Sequence, residues 1–363
     1  MKYQGIQKGV KGIIFGAKNL ILRSSSELLK PKWLWFEVTD RCNSCCTHCN
    51  IWRKKPTENP LSAKEIKEVF SDPLFQDLER ITISGGEPVL RQDIEEIFIG
   101  LNKACPNAKL DLSTNGLLPE RVLEVVKTII EHNIPIEVGV SVDAIGEKHD
   151  SIRGVKGNFE RVDRLLHELT LIRAQYGNKI KPVIGFTLSN LTLDFFEEVR
   201  AYAQKMRADF IVQWYNESSF YDNIGKNLVD KTTNKEKTMK ILQSLPSDSL
   251  NDLWIKWLRG KPIKFRCFAM YTFCALRCNG DVVPCLTHWD VKVGNVREKS
   301  PTQIWHSSEA QKGREIVKKC PGCLNSWGVG WSFSSSFYPN LLFNLRHPNI
   351  LLKKITGEFY KKN

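Results

Sequence analysis

The chain has 363 residues, 42% hydrophobic and 26% charged with ten Trp, enough to bury a sizeable core in one large or two moderate domains. Its eleven cysteines, an odd number with ten in two clusters, argue against a secreted disulfide scaffold. No signal-peptide pattern and no uncharged apolar run of bilayer-spanning length occurs, so a reducing cytoplasm is the expected compartment.

The net charge of +13 is uneven: residues 1–30 carry +5, residues 331–363 carry +4, and the stretch between them only +4. Residues 1–31 read as a basic amphipathic segment, with Ile6, Val10, Ile13, Ile14 and Leu20 among Lys8, Lys11, Lys18 and Arg23. From residue 32 to 215 strand and helix patterns alternate. Strands are expected at 33–39, 80–84, 108–113, 135–142, 182–188 and 209–214, and helical periodicities near 62–70, 91–104, 119–132, 157–175 and 191–206. Alternating β and α units imply a parallel sheet with outer helices, and ligand-binding residues at the C-terminal strand ends. Periodicity alone does not separate a barrel from a doubly wound sheet. Residues 216–262 are charged and read as a mostly helical bridge, broken at Pro246-Ser247-Asp248-Ser249. Residues 263–330 form a cysteine-rich second unit, in which Leu276–Cys285 reads as a hairpin turning at Asn279-Gly280. Residues 331–363 are a basic, apolar tail. The two ends fit either packing against the core or contact with an anionic membrane surface. Basic and aromatic residues do not interleave as on a nucleic-acid module, so no nucleic-acid partner is expected.

The chemistry concentrates in cysteine. Cys42, Cys46 and Cys49 have the spacing C-x3-C-x2-C in the loop after the first strand, and thiolates this close converge on one metal centre. Structural zinc and an electron-carrying four-iron cluster both take four protein ligands. Three leave a coordination position open, which is a catalytic arrangement.

The triad resembles the signature of the radical S-adenosylmethionine (SAM) enzymes, with His48 at the usually aromatic position before the last cysteine. The resemblance covers roughly residues 33–330 and implies a partial (β/α)6 barrel followed by a small auxiliary-cluster domain of twitch or SPASM type. It implies a [4Fe-4S] cluster on Cys42, Cys46 and Cys49 whose open iron chelates SAM. One electron then cleaves SAM to a 5′-deoxyadenosyl radical that abstracts hydrogen from an unactivated C–H. A low-potential donor of flavodoxin or ferredoxin type is the implied partner.

Further motifs fall in the family's order. Ser84-Gly85-Gly86-Glu87-Pro88 ends the second strand; Gly85, Gly86 and Glu87 resemble the motif that holds the methionine ammonium, against the plainer reading of a strand-ending turn. Ser113 and Asn115 end the third strand, and Ser141 and Asp143 the fourth, suiting ribose oxygens; Arg153 suits the SAM carboxylate as a bidentate fork. Each fits turn and helix-cap chemistry too. Thr187 and Asn190 are weaker candidates, and His149 reads as a loop hydrogen-bonder rather than a base.

Carried over residue by residue, Cys267, Cys285, Cys320 and Cys323 would fully ligate an auxiliary [4Fe-4S] cluster; a structural zinc site is the alternative. Cys274 and Cys278 read as small buried hydrophobes, and Cys45 and Cys105 as non-ligands. Leu286 follows Cys285 where sulfatase-maturing relatives carry an acidic base, so that activity is not expected; Asp290 and His288 are the nearby titratable groups. The substrate class is expected to be a small molecule or lipid-linked headgroup. A peptide is the alternative, and a non-catalytic iron–sulfur or zinc scaffold the third reading.

Overall fold

The structure is a computed structural model. It describes residues 28–338 except 230–231 and 246–248, with residues 14, 16–18, 21, 341 and 345 at the ends. Strands β1 (Trp33–Thr39), β2 (Arg80–Gly85), β3 (Lys109–Thr114), β4 (Ile136–Ser141), β5 (Ile180–Leu188) and β6 (Asp209–Trp214) pair in parallel, each beside its predecessor. Helices α1 (Ala63–Phe70), α2 (Ile94–Ala104), α3 (Pro119–Glu131), α4 (Glu147–Arg153), α5 (Asn158–Tyr176) and α6 (Phe196–Lys205) fill the crossovers. A doubly wound sheet reverses its strand order at a switch point. This one does not reverse between β1 and β6. The topology therefore gives the open barrel progression that periodicity left undecided.

Local sequence explains several starts. Ser62 caps α1 with Glu65 reaching back to form a capping box, and Pro119 opens α3 where no N–H is needed. Along β3–β6 the residues reaching the barrel interior alternate: Asp111 and Ser113, then Glu137, Gly139 and Ser141, then Val183, Gly185 and Thr187, then Ile211 and Gln213. The opposite face carries Leu110, Leu112, Val138, Val140, Ile184, Phe186 and Val212 into the helical layer. At the barrel's N-terminal end charges are paired across strands: Arg80 with Asp111 (2.7 Å) and Glu137 (3.4 Å), and Lys181 with Glu137 (2.7 Å) and Asp209 (3.1 Å).

Two expectations change. The bridge is not mostly helical: helices α7 (Lys235–Ser244) and α8 (Ser249–Leu258) occupy its second half, while residues 215–229 run as irregular chain. The expected break at Pro246–Asp248 lies outside the described residues. The cysteine-rich unit continues the sheet of the barrel. Its strands β7 (Phe273–Leu276), β8 (Asp281–Val283) and β9 (Gly294–Asn295) extend the barrel sheet, with β7 parallel to β1 over Trp33–Phe36. The hairpin turns at Asn279-Gly280 as its sequence indicates, Gly280 holding φ +91°. Short helix α9 (Pro301–Trp305), α10 (Ser308–Lys319) and α11 (Ser326–Ser335) follow, and α11 crosses the boundary expected at 330 with Trp331 and Phe333 buried.

Candidate functional site

β1 delivers the chain into a loop at the C-terminal mouth of the barrel, and that loop is pinned from several sides. The turn after β2 grips its start: Gly86 N–H donates to the Thr39 carbonyl (2.8 Å) and Glu87 N–H to the Arg41 carbonyl (2.7 Å). A Cβ on Gly85 would sit 2.0 Å from the Thr39 oxygen, and one on Gly86 2.0 Å from the Arg41 oxygen. The two glycines thus allow one loop to lie on another, besides lining the cavity. The end of α4 grips the middle. Cys45 N–H and Ser44 Oγ donate to the Arg153 carbonyl, and Thr47 N–H donates to that of Ile152 (2.8 Å). Gly154 holds φ +72° with its Cα against Cys45, where a Cβ would meet the Cys45 oxygen at 2.3 Å.

So held, Cys42, Cys46 and Cys49 line one cavity of about 200 Å³, together with Ser84, Gly85, Gly86, Ser113, Asn115, Ser141, Arg153 and Thr187. Cys45 is exposed and does not line it. Burial pushes the Cys42 thiol up to about 12 and Cys49 up to about 11, and the neighbouring thiols push the same way. A bare thiolate is thus costly here, and a cation held among the thiols would offset that cost. The donor set fits a metal cluster bound by three thiolates.

The remaining predicted residues divide by role. Asn115 reaches the cysteine loop, its Nδ2 donating to Asn43 Oδ1 at 2.8 Å and lying 3.9 Å from Cys42 Sγ. Glu87 does not line the cavity. It is buried, and it accepts from Asn115 N–H (2.7 Å) and Thr114 Oγ1 (2.9 Å), joining the β2 and β3 turns. Burial raises its carboxyl to about 7. Asp143 is fully buried behind the cavity wall, paired with Arg153 at 2.7 Å and accepting from Thr187 N–H at 2.9 Å. The Arg153 fork expected to be free for a carboxylate is partly engaged: one terminal nitrogen is on Asp143, the other lies 3.8 Å from Cys46 Sγ, and Nε has no hydrogen-bond partner. His149 Nδ1 accepts from Asp143 N–H at 3.3 Å, and burial lowers its pKa to about 4, as suits a neutral loop hydrogen-bonder. His48 is likewise lowered to about 4 by burial, with Asp143 4.0 Å away opposing the shift. Asn190 does not line the cavity; its Oδ1 accepts from Asn234.

The second cysteine set also comes together. Cys267, Cys285, Cys320 and Cys323 line a separate cavity of about 140 Å³ with Thr287, His288 and Gly322. Burial and mutual repulsion push Cys323 up to about 12 and Cys285 higher, while His288 holds Cys320 below the usual thiol range. Among the described residues no three or more His, Cys, Asp or Glu side chains stand closely enough to hold a metal ion. The thiols surround a space instead, and four thiols round a cavity are the donor set of a polynuclear cluster. Cys274 and Cys278 are buried and line neither cavity, and Cys105 packs under the carbonyls of Phe70 and Phe75.

Several cavity residues were not foreseen: Trp35, Gln213, Tyr215, Asn216, Tyr221, Asn223, Asn325, Ser326 and Trp327. The period-2 pattern of β6 carries Gln213 inward, and turn formers crowd residues 216–227; both were available signals.

The profile of the radical SAM superfamily matches residues 36–171, and that of the SPASM iron-sulfur cluster-binding domain matches residues 267–324. The chain belongs to the radical SAM superfamily and carries a SPASM-type domain. A radical SAM domain binds a [4Fe-4S] cluster and SAM, and a SPASM domain binds auxiliary iron–sulfur clusters. Relatives include the Fe-coproporphyrin III synthase of Methanosarcina barkeri (strain Fusaro / DSM 804), 38% identical over 139 residues, 38% of this chain and 33% of that one. The antilisterial bacteriocin subtilosin biosynthesis protein AlbA of Bacillus subtilis (strain 168) is 27% identical over 301 residues, 79% of this chain and 62% of that one. The chain thus spans about a third and about three fifths of these two relatives. The fold resembles that of Streptococcus suis SuiB bound to the precursor peptide SuiA, at TM-score 0.62 and 20% identity, covering 90% of this chain and 76% of that one.

Proposed function

We propose that the protein is a radical SAM enzyme that abstracts hydrogen from an organic substrate in the barrel mouth, with the auxiliary site assisting. The observation that carries this reading is the shared cavity, where three thiols meet the motif residues from the ends of β2, β3 and β4. When bound, the cluster supplies the electron that splits SAM into methionine and a 5′-deoxyadenosyl radical. The chain's own residues hold and screen. Asp143 fixes Arg153, which presents N–H groups to Cys46 Sγ and to the cavity. Asn115 ties the β3 turn to the cysteine loop. Ser113, Ser141 and Thr187 offer short polar groups along the strand ends for SAM. Cys45 and Thr47 are exposed, so a flavodoxin- or ferredoxin-type donor has a short path to the triad.

The favoured substrate is a small molecule or a lipid-linked headgroup. The two ends, basic in sequence, support this reading because Gly16 of the first meets Phe337 of the second: a Cβ on Gly16 would lie 2.6 Å from Phe337 Cα, and Ile14, Ile21, Tyr338 and Leu345 are exposed. A peptide substrate is the second reading, favoured by relatives named for bacteriocin and killing-factor maturation that match 79% and 78% of the chain.

The test is 5′-deoxyadenosine formation by anaerobically reconstituted, reduced protein, with Cys46→Ala as control and lipid, aqueous and peptide fractions as additions. SAM cleavage abolished by Cys46→Ala is expected; cleavage persisting in the variant would overturn the reading. The fraction that stimulates turnover decides the substrate class.

A further inference from the structure

The triad loop is held from the barrel side by the turns after β2 and β3 and by α4, and on its other side by a segment outside the barrel. Residues 218–226 fold back over it. Tyr221 O accepts from Asn50 N–H (2.9 Å), Asp222 O accepts from Asn50 Nδ2 (2.8 Å), and Lys54 Nζ donates to the carbonyls of Ser219 and Phe220 (2.9 Å each). Lys226 Nζ donates to the Thr47 carbonyl. At the centre lies Asn223, 1% exposed. Its Nδ2 is shared among the His48 carbonyl (3.0 Å), the Tyr215 hydroxyl (3.1 Å) and the Asn216 carbonyl (3.2 Å), while its Oδ1 accepts from Ser218 N–H (2.9 Å). One amide thus folds the segment on itself and clasps it to the residue before Cys49. The same segment touches the second cysteine site: Phe220 meets the Trp289 ring edge-on at 4.6 Å, and Ser219 Oγ donates to Asp290 (3.2 Å), four and five residues beyond Cys285.

We propose that residues 218–226 are a positioning strap, with Asn223 as its clasp, that completes the triad's cluster site and fixes it relative to the auxiliary cysteines. This rests on the triad binding a cluster. An irregular loop bearing three ligands keeps a fixed geometry only when its backbone is over-determined, and a network with one member removed leaves several buried groups unpaired. Asn223→Asp keeps the acceptor for Ser218 N–H and removes the donor to His48, so the strap's own turn survives while the clasp opens.

The test compares wild type, Asn223→Asp, Lys226→Gln and Cys42→Ala/Cys46→Ala/Cys49→Ala after anaerobic reconstitution. It reads iron per chain, the change in the reduced protein's EPR spectrum on adding SAM, iron release to a chelator, and the thermal midpoint. Asn223→Asp is expected to lose roughly half the iron, since one of two four-iron clusters goes, and to lose the SAM-dependent EPR change. The auxiliary signal should stay and the midpoint should move by no more than a few degrees. Lys226→Gln, at a half-buried position, is expected to release triad iron several-fold faster. Full iron and an unchanged SAM response in Asn223→Asp would overturn the strap, as would loss of both signals in step with a collapsed midpoint. Should Asn223→Asp fail to fold, an unchanged release rate in Lys226→Gln would overturn it alone. Wild type holding no more iron than the triple variant would instead sink the cluster reading of the triad.

Discussion

Glycine does two different jobs at this mouth, and substitution separates them. Gly85 and Gly86 sit where any side chain strikes the backbone of the cysteine loop. Gly139 and Gly185 face the cavity, where a Cβ would meet nothing nearer than 3.6 Å and 3.9 Å. Gly86→Ala should therefore destabilise the fold by about 3 kcal/mol through overpacking, read as a lower midpoint in thermal or denaturant unfolding. Gly185→Val should leave unfolding within about 1 kcal/mol, because a strand accepts valine well. Its extra carbons occupy ligand space, so SAM binding to the reconstituted protein should weaken at least ~10-fold, a cost of about 1.4 kcal/mol in calorimetry. Equal stability losses in both variants would remove the distinction. Glu37 offers a pH test. It is 4% exposed, and burial raises its carboxyl from 4.5 to about 7, with Cys278 N–H (3.3 Å) opposing. The folded chain holds this proton more tightly than the unfolded one, so stability from this group falls as pH rises from about 4.5 to 7. Glu37→Gln should thus match wild type near pH 4.5 and exceed it by on the order of 1–3 kcal/mol at pH 8. No pH-dependent gap in denaturant unfolding would refute this.

The elements show which sequence signals carried. The parallel strands and outer helices were legible because apolar periodicity is local: β1 reads Trp33–Thr39, and α6 presents Phe196, Val199 and Ala203 on one face. The segment 215–229 was not legible. Its charge looked helical, yet Ser219, Asp222 and Asn223 take partners about 170 positions away in and just after the cysteine loop, and no local pattern encodes those. The triad and the Gly-Gly-Glu turn were legible as motifs, but not the division of labour in which Glu87 and Asp143 brace the wall while Asn115 and Arg153 reach toward sulfur. The hairpin was legible from Asn279-Gly280, but not its partner. β7 pairs with the edge of β1, and residues 273–276 cover Trp33–Phe36. A chain ending at residue 262 should therefore expose β1's backbone edge beside Trp33 and Trp35 and aggregate rather than yield a free barrel. Size exclusion checks this: a monomeric truncated chain with native circular dichroism would show that the hairpin is dispensable.

On the scale of the whole molecule, exposed apolar side chains fall in the two stretches whose sequence is basic. The two ends hold nine of the thirteen net positive charges, and Gly16 brings the first end into backbone contact with Phe337 of the other. Ile14, Ile21, Tyr338 and Leu345 are 61–69% exposed, so the described residues of both ends present apolar side chains to solvent, in stretches whose sequence is basic. Among the described residues no helix is long and apolar enough to cross a membrane. Peripheral binding needs none, since each basic residue near an anionic surface contributes about 1 kcal/mol and apolar insertion adds to it. The chain should float with vesicles rich in phosphatidylserine and not with phosphatidylcholine alone. About 0.5 M salt should release most of it, because screening then acts within a few ångströms. Ile14→Glu with Ile21→Glu should cut binding several-fold at low salt without moving the thermal midpoint, since both side chains already face solvent. Binding indifferent to lipid charge, or unchanged by those substitutions, would reduce the two ends to an ordinary solvated face and leave the lipid-linked substrate without its main support.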